Sequence, residues 1–294
     1  MKKISLLLLS LLVAVTASAA VGETFEVGYL TYKVIGEPPS KPAELAVTGL
    51  NATGKATPNL VLNFRSTIGH GDYTYTVTKV AEKAFEEQKN IVSVVLNEGI
   101  QVINDRAFYL CSNLSNVTIN GSTLIGIEED AFQGTAFESI HLPASTAYAY
   151  GLRGKTKLVS ITVDEDNPYL CSVNGLLYNK EQTTLIACPG GRTEKLTEKD
   201  FSSTLTKIGF RAFKEVAVKE IYLPYGVKEL GRWSFAGSYM VIKLPSSIEK
   251  IEYDCFFGCR VVDLYCNIAN PISLGVNNFD AAFLYTLHVP VGAK

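Results

Sequence analysis

Six times in this chain an apolar pair three residues apart is followed, five residues later, by phenylalanine, and that phasing calls for a repeating architecture. The pairs are Val77/Val80, Ile100/Ile103, Leu124/Ile127, Leu205/Ile208, Val227/Leu230 and Ile248/Ile251. Their rings are Phe85, Phe108, Phe132, Phe213, Phe235 and Phe256. A small residue precedes each ring: Ala84, Ala107, Ala131, Ala212, Ser234 and Cys255. After the first five comes an apolar-x-x-apolar-x-apolar segment: Ile91/Val94/Leu96, Leu114/Val117/Ile119, Phe137/Ile140/Leu142, Val218/Ile221/Leu223 and Tyr239/Ile242/Leu244. The terminal alternation predicts an extended strand buried on one face. Pro143, Pro224 and Pro245 stop three of these strands.

One such unit cannot bury its own apolar face, whereas stacked copies can. The segment around each ring is too short for more than a turn or so of helix. Each repeat of 21–24 residues therefore reads as one strand plus a loose return path, with the rings forming an aromatic ladder. Burial of each ring contributes roughly 1.5–3 kcal/mol.

Before and between the repeats the pattern changes. Lys2 and Lys3, the apolar run 4–15 and the Ala17-Ser18-Ala19 site read as a signal peptide cleaved near residue 20. Residues 21–76 alternate as strands, broken by the proline-rich stretch 37–42, and read as an N-terminal β cap. Within it, 60–64 and 73–77 flank Gly69-His70-Gly71-Asp72 as a predicted hairpin. Repeats occupy 77–146. Residues 147–204 hold a degraded repeat, with Tyr148 and Tyr150 where Ala-Phe is expected, and an inserted hairpin whose arms are 176–178 and 184–187. Repeats resume over 205–270, where the last one slips its strand at Val262/Leu264. Residues 271–294 form a C-terminal segment that reads either as a shortened cap or as an open edge.

The units IGFRAFKEVAVKEIYLP and LGRWSFAGSYMVIKLPSSIEKIEYDCFFGC resemble the BspA-like class of leucine-rich repeat. The segment VDEDNPYLCSVNGLLYNKEQTTLIACPGG, residues 163–191, resembles an interruption common in that class. The resemblance implies a mainly β fold of the α/β leucine-rich-repeat type. It would be a right-handed solenoid with parallel strands, short irregular or helical return segments and an N-terminal β cap. It further implies a secreted or cell-surface protein, some relatives of which adhere to host extracellular proteins.

Net charge is −2, or about −4 (25 basic against 29 acidic residues) without Lys2 and Lys3. That offers no electrostatic case for nucleic acid or an anionic membrane. No later stretch reaches transmembrane length. Six cysteines in an exported chain permit disulfides. Cys111 and Cys259, each three residues after a repeat ring, read instead as buried structural thiols. If one disulfide forms, Cys171–Cys188 is the expected pair. No C-x-x-C occurs and the three histidines are scattered, so neither metal nor cofactor is implied. G-x-S-x-G, H-E-x-x-H, P-loop and dinucleotide patterns are absent, which points away from an enzyme. The Asp164-Glu165-Asp166 run reads as a solvated turn without the spacing of a calcium loop.

What is left for function is the outward face of the strands, where parallel stacking makes a continuous surface. Asn116, Thr118, His141, Thr162, Glu220, Tyr222 and Lys243 are its candidate partner-binding residues, with tyrosine and histidine as natural anchors. The expected partner is a protein, host extracellular matrix included, or else a glycan or an envelope assembly in which the chain is a scaffold.

Overall fold

The computed structural model of the protein describes residues 20–36, 42–154, 156–268 and 272–291. The expected leader over 1–19 and most of the proline-rich break, residues 37–41, lie outside the described residues. The protein is a mainly β solenoid of about nine turns with parallel strands.

Each repeat gives two strands rather than one. Long strands come from the alternating segments: Ile91–Leu96, Asn116–Ile119, Ser139–Leu142, Ser160–Val163, Glu220–Tyr222, Tyr239–Leu244 and Arg260–Cys266. Two-residue strands come from the apolar pairs: Val102–Ile103, Gly126–Ile127, Lys207–Ile208, Glu229–Leu230 and Lys250–Ile251. The short strands pair in parallel register along a second face of the solenoid, which the insertion divides between two sheets.

The return path is not loose. Residues two before the ring (Lys83, Arg106, Asp130, Arg211, Trp233, Asp254) and two after it (Glu87, Leu110, Gly134, Glu215, Gly237, Gly258) all have positive φ. This alternation lets the ring residue's own N–H reach the neighbouring turn. Phe85 N donates to Ala107 O, Phe108 N to Ala131 O, Phe213 N to Ser234 O and Phe235 N to Cys255 O. The ribbon satisfies its backbone between turns, so no helix is needed. The small residue before the ring is buried in five of the six repeats (Ala107, Ala131, Ala212, Ser234 and Cys255), and Ala84 in the first is half-buried.

The rings stack as two ladders. Phe85, Phe108 and Phe132 follow one another at 5.1 and 5.3 Å between centroids. Phe213, Phe235 and Phe256 follow at 5.1 and 5.4 Å. Side chains three residues after the ring staple adjacent turns. Cys111 Sγ donates to Phe85 O at 3.0 Å, Ser238 Oγ to Phe213 O at 2.6 Å, and Cys259 Sγ to Phe235 O. A thiol and a hydroxyl thus do the same work at one position.

Between the ladders the hydrogen-bond register identifies what replaces phenylalanine. Phe132 N donates to Gly151 O, which puts buried Leu152 in the ring slot, and Cys188 N donates to Ala212 O, which puts Cys188 in the next. Tyr148 and Tyr150 were expected there; they stack on each other at 5.6 Å outside the core. Gly151 is required because a Cβ would lie 2.2 Å from Glu128 O.

In the insertion, Leu170–Val173, Leu176–Asn179 and Thr184–Ala187 form an antiparallel meander, and the last strand pairs in parallel with Lys207–Ile208. All six cysteines are thiols. The Cys171–Cys188 pairing, expected only if a disulfide formed, is excluded by strand order. Leu176–Asn179 runs between Leu170–Val173, which carries Cys171, and Thr184–Ala187, which Cys188 follows, and this separates their backbones by about 9–10 Å, beyond disulfide reach.

At the N-terminal end Thr24–Val27, Leu30–Gly36 and Glu44–Leu50 form an antiparallel sheet, and Glu44–Leu50 hands on in parallel to Tyr73–Val80. The predicted hairpin uses a different first arm: Thr67–His70 pairs with Tyr73–Val80 around Gly71-Asp72. A two-residue turn with Gly71 at φ +59 outcompetes an eight-residue loop. Leu60–Phe64 instead pairs in parallel with Ile91–Leu96, and Phe64 stacks on Phe85 at 5.8 Å. At the other end Ser273–Leu274, Phe279 and Phe283–His288 add a further turn, its ring 5.3 Å from Phe256. That ring escapes the sequence pattern because Asn278 precedes it. The buried amide accepts from Cys255 N at 2.9 Å and donates to Gly275 O at 2.6 Å.

Candidate partner-binding surface

In-register parallel pairing turns equivalent positions into rows across the exposed face. Asn116 lies beside Ser93 and Thr118 beside Val95. His141 lies beside Thr162. Glu220 lies beside Val241, and Tyr222 heads the row Tyr222–Lys243–Tyr265–His288. Asn116, His141, Thr162 and Lys243 are exposed, while Thr118, Glu220 and Tyr222 are half-buried.

The face is not continuous as the sequence led one to expect. Its long strands fall into sheets of three, two and four. After Ser160–Val163 the next rung is the hairpin tip, where Ile161 N donates to Gly175 O at 3.1 Å. Gly175 (φ +77) is needed for this approach, since a Cβ would stand 2.9 Å from Ser160 Oγ. The tip is followed by Leu196 alone, which bridges to Ile221. The structure therefore brings Glu220, Tyr222 and Lys243 together on one side of the hairpin tip, and on the other holds Asn116 with Thr118 and His141 with Thr162 in two adjoining patches.

The first patch is an amide surface, with Asn116 Nδ2 donating to Ser93 Oγ at 3.2 Å. In the second, His141 Nδ1 sits 2.9 Å from Thr162 Oγ1 and Nε2 sits 3.2 Å from Asp164 Oδ1. Asp164 Oδ2 also accepts from Ala144 N at 2.9 Å, so this member of the acidic run anchors a turn.

The third patch combines rings and cations. The bridge at Leu196 delivers Lys195, whose Nζ is 2.6 Å from Glu220 Oε2 and 3.7 Å from the centroid of Tyr222. Hydrogen bonds to Glu220 and then to Tyr222 hold the ammonium above its ordinary pKa. Lys243 Nζ approaches the same ring at 5.3 Å. Two rungs on, Tyr265 stacks on His288 at 4.1 Å and 5°, with His288 Nε2 3.0 Å from Asp263 Oδ1.

Lys195, Tyr265 and His288 escaped the sequence reading. Tyr265 is hidden by a β-bulge: Met240 pairs with Val261 but Ile242 pairs with Leu264. One extra residue accounts for the apparent slip at Val262/Leu264 and moves Tyr265 into the row of Lys243. Aligning Leu264 with Ile242 recovers it. Lys195 is reached by a single bridge and carries no repeat signal.

Among the described residues, no group of three or more His, Cys, Asp or Glu is placed to hold a metal ion. No helix among them is long and apolar enough to cross a membrane.

Stacked parallel turns with a solvent-facing strand surface define a tandem-repeat solenoid. The chain belongs to the BspA-type leucine-rich-repeat family, whose model matches residues 72–172 and 191–290 in six copies. It is similar in fold to the pneumococcal vaccine antigen PcpA, at 18% identity and a TM-score of 0.56, over 91% of this chain and 89% of that one. It is likewise similar to a leucine-rich repeat protein from Bacteroides ovatus, at 15% identity and a TM-score of 0.53, over 92% of this chain and 77% of that one. No curated protein matches the sequence.

Proposed function

We propose that this chain is an exported, non-catalytic binding protein that takes a protein partner on the third strand patch, in an adhesive role at the cell surface. The leader pattern over 1–20 supports export, and the family supports the cell surface. The observation that carries the site is the row Tyr222–Lys243–Tyr265–His288, with Lys195 and Glu220 at its head. Two rings pinned by cations and a stacked histidine give a rigid surface with little side-chain entropy left to lose on binding. The other two patches offer short polar side chains and a single histidine, a smaller anchor area.

The test is a pull-down with the full chain against a panel of extracellular matrix proteins. A retained protein should bind roughly tenfold or more weakly to Tyr222→Ala and Tyr265→Ala, with thermal midpoints unchanged. An empty pull-down with glycan-array hits lost in Tyr222→Ala replaces the adhesive reading with the glycan one.

A further inference from the structure

A cavity of about 550 Å³ opens at the N-terminal end, between the turn at Gly28-Tyr29 and the edge strand Leu60–Phe64. Its floor is Tyr32 and Leu62, both buried, and its wall carries Tyr29, Asn63 and Arg65. The volume fits a mono- or disaccharide and lies within the ordinary range of small-ligand sites.

The wall is preorganised. Asn51 holds the turn by donating Nδ2 to Gly28 O at 2.9 Å and its own N–H to Tyr29 O at 3.0 Å. Gly54 packs so close beneath that a Cβ there would lie 2.6 Å from Tyr29 O. Tyr29 keeps 43% of its surface exposed. Asn63 ends a ladder of amides: Asn120 Nδ2 donates to Asn97 Oδ1, and Asn97 Nδ2 donates to Asn63 Oδ1 and Phe64 O. With its oxygen engaged, Asn63 presents an amide NH₂ that has no partner among the described residues. Arg65 makes no ion pair among the described residues, whereas ten other Lys and Arg side chains do.

We propose that this cavity binds a saccharide bearing a carboxylate. Arg65 would take the carboxylate through its guanidinium fork, Asn63 would donate to a ring hydroxyl, and Tyr29 would lie against the C–H face of the pyranose. One unpaired cation beside a ring and an amide fits a monoanionic sugar; a phosphate would call for several converging cations. This site is separate from the strand patch and does not depend on that assignment.

The test is isothermal titration of the full chain with glucuronate, N-acetylneuraminate, neutral glucose and an acidic tetrapeptide. At least one acidic sugar should bind saturably, with glucose about tenfold or more weaker. Arg65→Gln and Tyr29→Ala should each weaken it about tenfold or more at an unchanged thermal midpoint. Arg65→Lys should recover part of the loss. Failure of both acidic sugars, equal binding of glucose, indifference to Arg65→Gln, or tighter binding of the tetrapeptide overturns the proposal.

Discussion

Glu129 and Arg211, 82 residues apart in sequence, meet at 3.0 Å across the interruption between the two ring ladders. Between them lies Arg153, only 6% exposed, with Nη1 3.4 Å from Glu129 and Nε donating to Ile186 O at 2.9 Å. Burial pulls its pKa down to about 10, and Glu129 pulls it back up. Gln133 and Asp130 reach Glu215 and Lys214 over the same gap, at 3.0 and 3.6 Å. Where the phenyl ladder fails, polar side chains couple the blocks. Glu129→Gln should therefore cost about 1–3 kcal/mol, below the full value for a broken buried pair because Glu129 is one-third exposed. Trp233, the sole tryptophan, sits in the second block against Phe210. In urea its fluorescence midpoint should fall and separate from the circular-dichroism midpoint. Coincident, unshifted midpoints would mean that the joint does not couple the blocks.

Ring position should set ring value. Phe235 is stacked on both sides and fully buried, whereas Phe279 has one stacked neighbour and is 40% exposed. Phe235→Ala should destabilise by about 3–5 kcal/mol and Phe279→Ala by about half that or less, since the cavity term scales with how enclosed the site is. Denaturant midpoints with matched slopes give the comparison. A loss below about 1 kcal/mol at Phe235 would remove it from the core.

These positions also show why the sequence was legible where it was. A ring repeating with small residues before it forces one chain path, because only that phase buries every phenylalanine. The path was lost wherever another side chain met the same requirement. Leu152 and Cys188 fill ring slots without being aromatic, and Asn278 fills a small-residue slot by satisfying its own amide. The second strand face was invisible since a two-residue strand has too few positions to alternate. On the surface the limit is different. Rows depend on register, so one bulge before Leu264 hid Tyr265, and the hairpin tip at Gly175 cut a face that outward positions alone made continuous.

The return ribbon makes a backbone prediction. Two residues after the ring, Gly134, Gly237 and Gly258 adopt positive φ at no side-chain cost, but Glu87 is held there at φ +61. Glu87 is exposed, and its N–H is committed to Tyr109 O. Glu87→Gly should raise stability by about 0.5–1 kcal/mol, left-handed relief outweighing the added chain entropy, and Glu87→Val should lower it by more. If glycine destabilises as much as valine in thermal melts, the left-handed geometry at this position is not what limits it.

Acid should weaken one identifiable cluster. Glu229 Oε1 is 2.7 Å from Lys250 Nζ and its Oε2 is 3.1 Å from Lys207 Nζ, with Glu252 bonded to the same Lys250 at 2.9 Å. Hydrogen bonding from Lys250, ahead of that from Lys207, pulls the Glu229 carboxyl down to about 2. Its folded pKa lies below the unfolded value, so on acidification the unfolded chain takes the proton first. The stabilisation is therefore whole above about pH 4.5 and drains away as pH falls toward 2. The gap in denaturation midpoint between the wild type and Glu229→Gln should be open at pH 7, narrower at pH 3 and nearly closed at pH 2. It should also shrink in 1 M salt, because the cluster is partly exposed and the charges are screened. A gap that stays constant from pH 7 to pH 2 would assign the effect of the substitution to packing, with the ion pairs contributing nothing.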